Sequence, residues 1–253
     1  MSIPPPVPPV RAPLWTQRVA PHPTESILPP QRTFDSEAAP RQEAPGSRRG
    51  RRGWLVLATR NPAKVAEIRT LLAPFPWPIY GLDAFPGAPD VEENASTYAG
   101  NALAKARAAA EFTLETAMAD DSGLEVDALK GSPGVRSARF AGPDATDEER
   151  NRALLKLLEG VPWEQRTARF RCVIAVVRPS GEAWTEEGVV EGYITTEPRG
   201  DGGFGYDPIF WVPQLQKTFG EVGPEVKNRL SHRARAVRKA RERLLREAED
   251  GKP

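Results

Sequence analysis

Trp54-Leu55-Val56-Leu57-Ala58-Thr59-Arg60-Asn61-Pro62-Ala63-Lys64 decides the fold class. A short continuous apolar run ending in a turn has the pattern of a buried strand. Thr59-Arg60-Asn61-Pro62 then reads as a turn and helix start, with Pro62 suited to a first helical turn. Val65, Ile68 and Leu72 follow on one helical face. Working outward, a second strand is expected near Ile79-Tyr80 and an Ala-rich helix over about 97–114. Ala117-Met118-Ala119 reads as a short strand ending in Asp120-Asp121. Thr146-Asp147-Glu148-Glu149 is a capping box opening a helix through Leu158, which Gly160 stops. Residues 168–177 alternate, with Phe170, Cys172, Ile174 and Val176 facing one way and Arg169 and Arg171 the other, as in a half-buried strand. Pro179-Ser180-Gly181 turns into another strand around 183–193, and one charged helix over about 224–247 closes the fold. This order predicts a mixed α/β domain.

The chain has 253 residues, enough for one large domain or two small ones. Its 35 Lys and Arg against 34 Asp and Glu leave a formal charge of +1. That falls short of the basic excess of a dedicated nucleic-acid binder, so no stable nucleic-acid partner is expected. Cys172 is the only cysteine, which excludes an intramolecular disulfide and a cysteine-rich zinc site. No run approaches the roughly 18–20 apolar residues of a membrane span. The Pro-broken start lacks the apolar core of a secretory signal. A soluble cytoplasmic protein is the expectation.

Residues 1–52 hold 12 of the 27 prolines and end in Arg48-Arg49-Gly50-Arg51-Arg52. Such a segment buries too little apolar surface to offset its ordering entropy. It reads as a disordered Pro/Arg-rich extension, with the folded domain spanning 53–250. The Arg cluster would suit a nucleic-acid or membrane tether. An organelle transit peptide fits poorly with four acidic residues and so many prolines. A solvated tail, or a start codon placed too far upstream, is the plainer reading.

Five segments carry groups suited to chemistry. Thr59, Asn61 and Lys64 sit at a helix start, where free N–H groups favour phosphate; an ordinary capped turn is the alternative. Asp120 and Asp121 would be costly to bury unpaired, and make sense beside a divalent cation that takes oxygen ligands. Ser122 follows as a hydroxyl donor, although Asp-Ser-Gly also makes Asx turns. Glu92-Glu93 precedes Asn101 and Lys105, which share a helical face; alone, the pair reads as solvated surface. Gly202-Gly203-Phe204-Gly205-Tyr206-Asp207-Pro208 combines close-approach glycines with two aromatics and an acid, which suits a flat ring. Lys227, Ser231, His232 and Arg233 cluster near a helix start, and His22 is the only other histidine.

Taken in order, these stretches resemble the inosine/xanthosine triphosphate pyrophosphatase family, also called Ham1-like. Gly131-Ser132-Pro133-Gly134-Val135, Ser137-Ala138-Arg139-Phe140-Ala141-Gly142 and Leu124 after Gly123 add to the match, which covers about 54–247. Arg60 stands where a glycine is frequent in that family, and Asn228-Arg229 is one of several variants there.

The resemblance implies an elongated mixed sheet flanked by helices, in two lobes with the active-site cleft between them. It implies a Mg²⁺-dependent homodimer that hydrolyses ITP, dITP and XTP to monophosphate and pyrophosphate, keeping deaminated purines out of DNA and RNA. Mapped onto this chain, Asp121 is the expected general base and metal ligand, Asp120 supports it, and Glu93, or its neighbour Glu92, completes the metal site. The segment Thr59, Arg60, Asn61, Pro62, Ala63 and Lys64, with Ser122 and Lys227, would hold triphosphate and sugar. Phe204, with Gly205 and Tyr206 beside it, would stack on the base, and Asp207, His232 and Arg233 would read its edge. Arg233 is donor-only and favours a C6 carbonyl over the amino group of adenine. Guanine shares that carbonyl, so the argument separates hypoxanthine and xanthine from adenine alone. Two other readings are a pyrophosphatase for pyrimidine or modified triphosphates, and a nucleotide-binding module without catalysis.

Overall fold

The computed structural model describes residues 53–249; the extension over 1–52, with the readings of its Arg cluster, and residues 250–253 lie outside the described residues. The chain runs β1 (Leu55–Leu57), α1 (Pro62–Leu72), β2 (Ile79–Gly81), α2 (Tyr98–Thr113), β3 (Thr116–Val126), α3 (Asp147–Leu157), β4 (Thr167–Val177), β5 (Ala183–Ile194), β6 (Phe210–Val212), β7 (Lys217–Thr218), α4 (Pro224–Leu230) and α5 (His232–Glu249). The strands form one sheet in the order β2-β1-β3-β4-β5-β6-β7. β1 is parallel to β2 and β3, and every later pairing is antiparallel.

The two faces of this sheet are covered differently. On one, α2 lays Ala102, Ala106, Ala109 and Ala110 against Val56, Ala117, Ala119, Val173, Ala175 and Val177. Alanine faces let the helix axis come close to the sheet without large interlocking side chains. On the other, Val65, Ile68 and Leu72 of α1 and Val237, Ala240 and Leu244 of α5 meet Leu55, Leu57, Met118, Cys172, Ile174 and Val176. Gly188 permits the α5 crossing, because a Cβ there would lie 2.1 Å from the His232 carbonyl oxygen. Farther along the same face, Leu124, Val126, Phe170, Val190 and Ile194 pack on Leu154 and Leu158 and on Phe210 and Phe219. Truncating a side chain such as Leu124 to alanine here would cost roughly 2–5 kcal/mol.

Several elements depart from the sequence pattern. β3 does not end at the Asp120–Asp121 pair but continues to Val126, paired with β4 from Ala117–Val177 to Val126–Ala168. Charge partners from α1, α2 and α5 make two carboxylates tolerable inside a strand. β4 alternates only in its first half; Cys172–Val177 is buried on both faces because α2 and α5 sandwich it. The terminal helix is two helices, broken at Ser231, whose ψ of 156° is extended. The Ser231 hydroxyl accepts the Ala234 N–H at 3.1 Å, so one residue ends α4 and caps α5. The Thr146–Glu149 capping box forms as the sequence indicates, and Thr97 caps α2.

Candidate active site

The site begins with a mismatch in strand length. β1 last pairs with β3 at Leu57–Met118, and β3 runs past the end of β1 on that edge until Ser137 and Ser132 meet it at Leu124 and Val126. The Met118 carbonyl accepts the Ala58 N–H at 2.7 Å. Carbonyls alternate sides along a strand, so the next one on this edge is that of Asp120. It accepts instead from the Lys105 ammonium, at 2.7 Å. The crevice at the carboxyl end of β1 is where α/β sheets place their ligands.

Successive side chains in a strand point to opposite faces, so Asp120 and Asp121 enter different environments. Asp120 is 3% exposed and faces Lys64 at 3.1 Å and the Arg233 guanidinium at 3.2 Å. Burial pushes its carboxyl upward, but Lys64, Arg233 and Lys105 together outweigh burial and hold it well below the usual carboxylate range. Arg233 is itself locked by Glu67 at 2.7 Å and donates to the Ser122 hydroxyl at 3.3 Å. Asp121 faces α2 and accepts from the Asn101 amide at 3.0 Å. Burial raises its proton affinity, Lys105 and Asn101 only partly offset that, and Glu93 and Asp120 add to the rise. Environment thus drives two neighbouring carboxylates apart, the arrangement that separates a fixed anion from a proton acceptor.

The helix start has the capped geometry that suits a phosphate. Asn61 caps α1, accepting from the Ala63 N–H at 2.9 Å and the Lys64 N–H at 3.3 Å, with Pro62 in the first turn. The Thr59 hydroxyl accepts the Asn61 N–H at 3.2 Å. Thr59, Arg60, Lys64, Glu93 and Lys105 line one cavity of about 180 Å³. Arg60 reaches across it to Asp90 and the Ala88 carbonyl. Glu93 pairs with Lys105 at 2.5 Å, whereas Glu92 turns to Asn94 at 2.7 Å. Of the two, Glu93 is therefore the one beside the Asp pair. A larger cavity of about 630 Å³ lies at the start of α2, lined by Thr97, Tyr98, Arg136 and Arg171. Lys64, Glu93 and Lys105, the charged neighbours of the acidic pair, all line the smaller cavity and none lines the larger, so the smaller one is the candidate site.

The aromatic loop presents one ring outward. Phe204 is 46% exposed, with the Lys227 ammonium 4.1 Å from its ring centre and the Arg233 guanidinium carbon at 5.5 Å. Asp207 is buried; it accepts the Phe204 N–H at 2.8 Å and pairs with Lys227. Burial raises the Asp207 carboxyl and Lys227 pulls it back.

The structure thus gathers Lys64, Asp120, Ser122 and Arg233 into one charge cluster, Glu93, Asn101, Lys105 and Asp121 into a second, and Phe204, Asp207 and Lys227 into a third that meets the first at Arg233. Two expected residues turn inward. The Tyr206 hydroxyl donates to the Ser137 carbonyl at 2.8 Å in the interior. His232 stacks on Phe170 at 4.7 Å, and burial, reinforced by Arg233 and Lys227, keeps it neutral. Glu67 escaped the sequence reading; it lies one turn beyond Lys64 on α1, and that i, i+3 spacing was the available signal. Among the described residues no three His, Cys, Asp or Glu side chains gather as a metal cage. None of the described helices is long and apolar enough to cross a membrane.

The Ham1 family model matches residues 55–243, from the first strand of the sheet into α5. The chain belongs to the Ham1 family. Among similar Ham1-type proteins, the dITP/XTP pyrophosphatase of Desulforamulus reducens is 57% identical over 192 residues, covering 76% of this chain and 96% of its own. That of Geobacter sulfurreducens is 51% identical over 183 residues, covering 72% and 92%. A HAM1 protein from Coxiella burnetii superposes with a TM-score of 0.72 at 43% identity, covering 77% of this chain and 100% of that one. The mixed seven-stranded sheet flanked by helices is therefore the Ham1 fold.

Proposed function

We propose that the chain hydrolyses deaminated purine nucleoside triphosphates, ITP, dITP and XTP, to the monophosphate and pyrophosphate. The observation that carries this reading is the divergence of Asp120 and Asp121 beside the Lys64-bearing helix start, in a chain of this family. The triphosphate lies against the α1 N-terminus, Thr59 and Lys64. Asp121, with its raised proton affinity, accepts the proton of a water whose oxygen bonds to the α-phosphorus. The bond from that phosphorus to the bridging oxygen breaks, and pyrophosphate departs with Lys64 balancing its charge. Asp120 stays ionised throughout and holds Lys64 and Arg233 in place.

Glu93 and Asp121 would hold a divalent cation, which we take to be Mg²⁺. The fit rests on their chemistry: two oxygen donors, each opposing the other's charge, with Lys105 between them. Mg²⁺ uses one or two carboxylates and completes its shell with water and phosphate. When bound it supplies positive charge to the phosphate oxygens. Selectivity follows from the donor-only groups over Phe204. Lys227, expected from the sequence at the triphosphate and sugar, lies over the Phe204 ring as Arg233 does, and both can pair with a C6 carbonyl and would face an adenine amino group unpaired. Homodimerisation, expected from the family, belongs to the same proposal and is read by size-exclusion chromatography.

A panel of ITP, XTP, dUTP, dTTP and GTP, with and without Mg²⁺, tests the reading. Preference for ITP and XTP with release of pyrophosphate is expected; preference for a pyrimidine would overturn it.

A further inference from the structure

Phe204 is exposed on a glycine-rich loop, yet it must present a ring at a fixed angle to stack on a base. The next residue shows how. Gly205 has a φ of +63°, in the left-handed region, and both of its backbone polar groups are taken by side chains of α3. Its N–H donates to the Asp147 carboxylate at 2.6 Å. Its carbonyl accepts from the Asn151 amide at 3.1 Å. Asp147 and Asn151 are one helical turn apart and so share a face of α3. Asn151 is buried, at 4% exposure, and its own side-chain oxygen has no hydrogen-bond partner among the described residues. Asp147 is steadied in turn by Arg150, which also donates to the Ala138 carbonyl at 3.1 Å.

We infer that Asp147 and Asn151 are positioning residues for base recognition: together they clamp the Gly205 peptide units and thereby aim Phe204. The inference rests on the proposed nucleotide pyrophosphatase activity. Neither residue touches substrate, and both lie on a helix that contributes nothing to the Asp120–Asp121 centre. Loosening the clamp therefore weakens nucleotide binding and leaves the chemical step alone.

The test is steady-state kinetics with ITP on the full-length protein, for Asp147→Ala, Asp147→Asn and Asn151→Ala, each alone and combined with Phe204→Ala. One lost hydrogen bond corresponds to roughly a three- to tenfold rise in KM, with kcat changed by less than about twofold. Asp147→Asn retains an acceptor for the Gly205 N–H and should restore near wild-type KM. In the Phe204→Ala background the clamp variants should add less than about twofold, since there is no ring left to aim. Undiminished effects in that background, or a fall in kcat at unchanged KM, would overturn the inference. Circular dichroism checks folding. Should Asn151→Ala fail to fold, the Asp147 pair decides alone, because Asp147 lies at the surface end of α3. A wild-type chain that hydrolyses no nucleoside triphosphate would overturn the function itself, and the clamp's purpose with it. An active wild type with unaffected variants would overturn only the clamp.

Discussion

The Arg233 guanidinium meets the Asp120 carboxylate through two nitrogens, at 3.2 and 3.3 Å, with both side chains 2% exposed. This contact joins α5 to the middle of the sheet and assigns the jobs within the acidic pair. A carboxylate so compensated is a poor proton acceptor, which in the proposed mechanism leaves that role to Asp121.

Asp120→Asn keeps the shape and removes the countercharge. Arg233 would then have Glu67 alone, and Lys64 would lose its anchor. Breaking a buried pair from one side costs roughly 3–5 kcal/mol. Urea unfolding should show a loss of that size, along with loss of turnover. A variant as stable as the parent would mean that the contact is not formed in solution.

Asp121→Asn should behave oppositely. Removing a desolvated carboxylate leaves stability equal or slightly improved, while turnover drops by about 10²-fold or more as the proton acceptor disappears. Pyrophosphate release under saturating ITP measures it. Turnover within about threefold of wild type would remove Asp121 from the proton-accepting role.

Phe204→Ala should raise KM for ITP by about tenfold or more, in line with roughly 1–3 kcal/mol for a base stacked on an aromatic ring. Its kcat should hold. An unchanged KM would place the base elsewhere.

His232 gives stability a specific pH dependence. Its folded pKa lies well below the ordinary imidazole value, so the folded state stays neutral where the unfolded chain takes up a proton. The native state binds fewer protons, and stability falls as pH drops below about 6.5, at up to about 1.4 kcal/mol per pH unit. His232→Gln should remove that slope relative to wild type between about pH 7.5 and 5. Parallel unfolding curves for the two proteins would show that the imidazole titrates freely.

Much of the fold could be read locally. Thr97 and the alanine run bounded α2, the Thr146–Glu149 box bounded α3, and Trp54–Lys64 gave the first strand–turn–helix. What could not be read depended on distant partners. A strand through Asp120 and Asp121 looks unfavourable until Lys64, Asn101 and Arg233 arrive from elsewhere in the chain. The break at Ser231 lacks glycine or proline, and the residue three positions on is Ala234 rather than the Glu or Gln of a capping box. Within the site, residue types and order were legible, but directions were not. That His232 stacks inward on Phe170 while Phe204 stays exposed follows from which residues α5 and the glycine loop place against the core.

The gap in the β3 margin at Asp120 has a second consequence. A strand edge with a free carbonyl is where the strand of another molecule can add, the first step toward aggregation. Here Lys105 sits on that carbonyl, and an ammonium group cannot be displaced by a neutral peptide without stranding Glu93 beside it. The cation that pairs with Glu93 beside the acidic pair also guards a sheet margin against its own kind. Losing Lys105 would therefore carry a solubility penalty as well as leaving Glu93 unpaired.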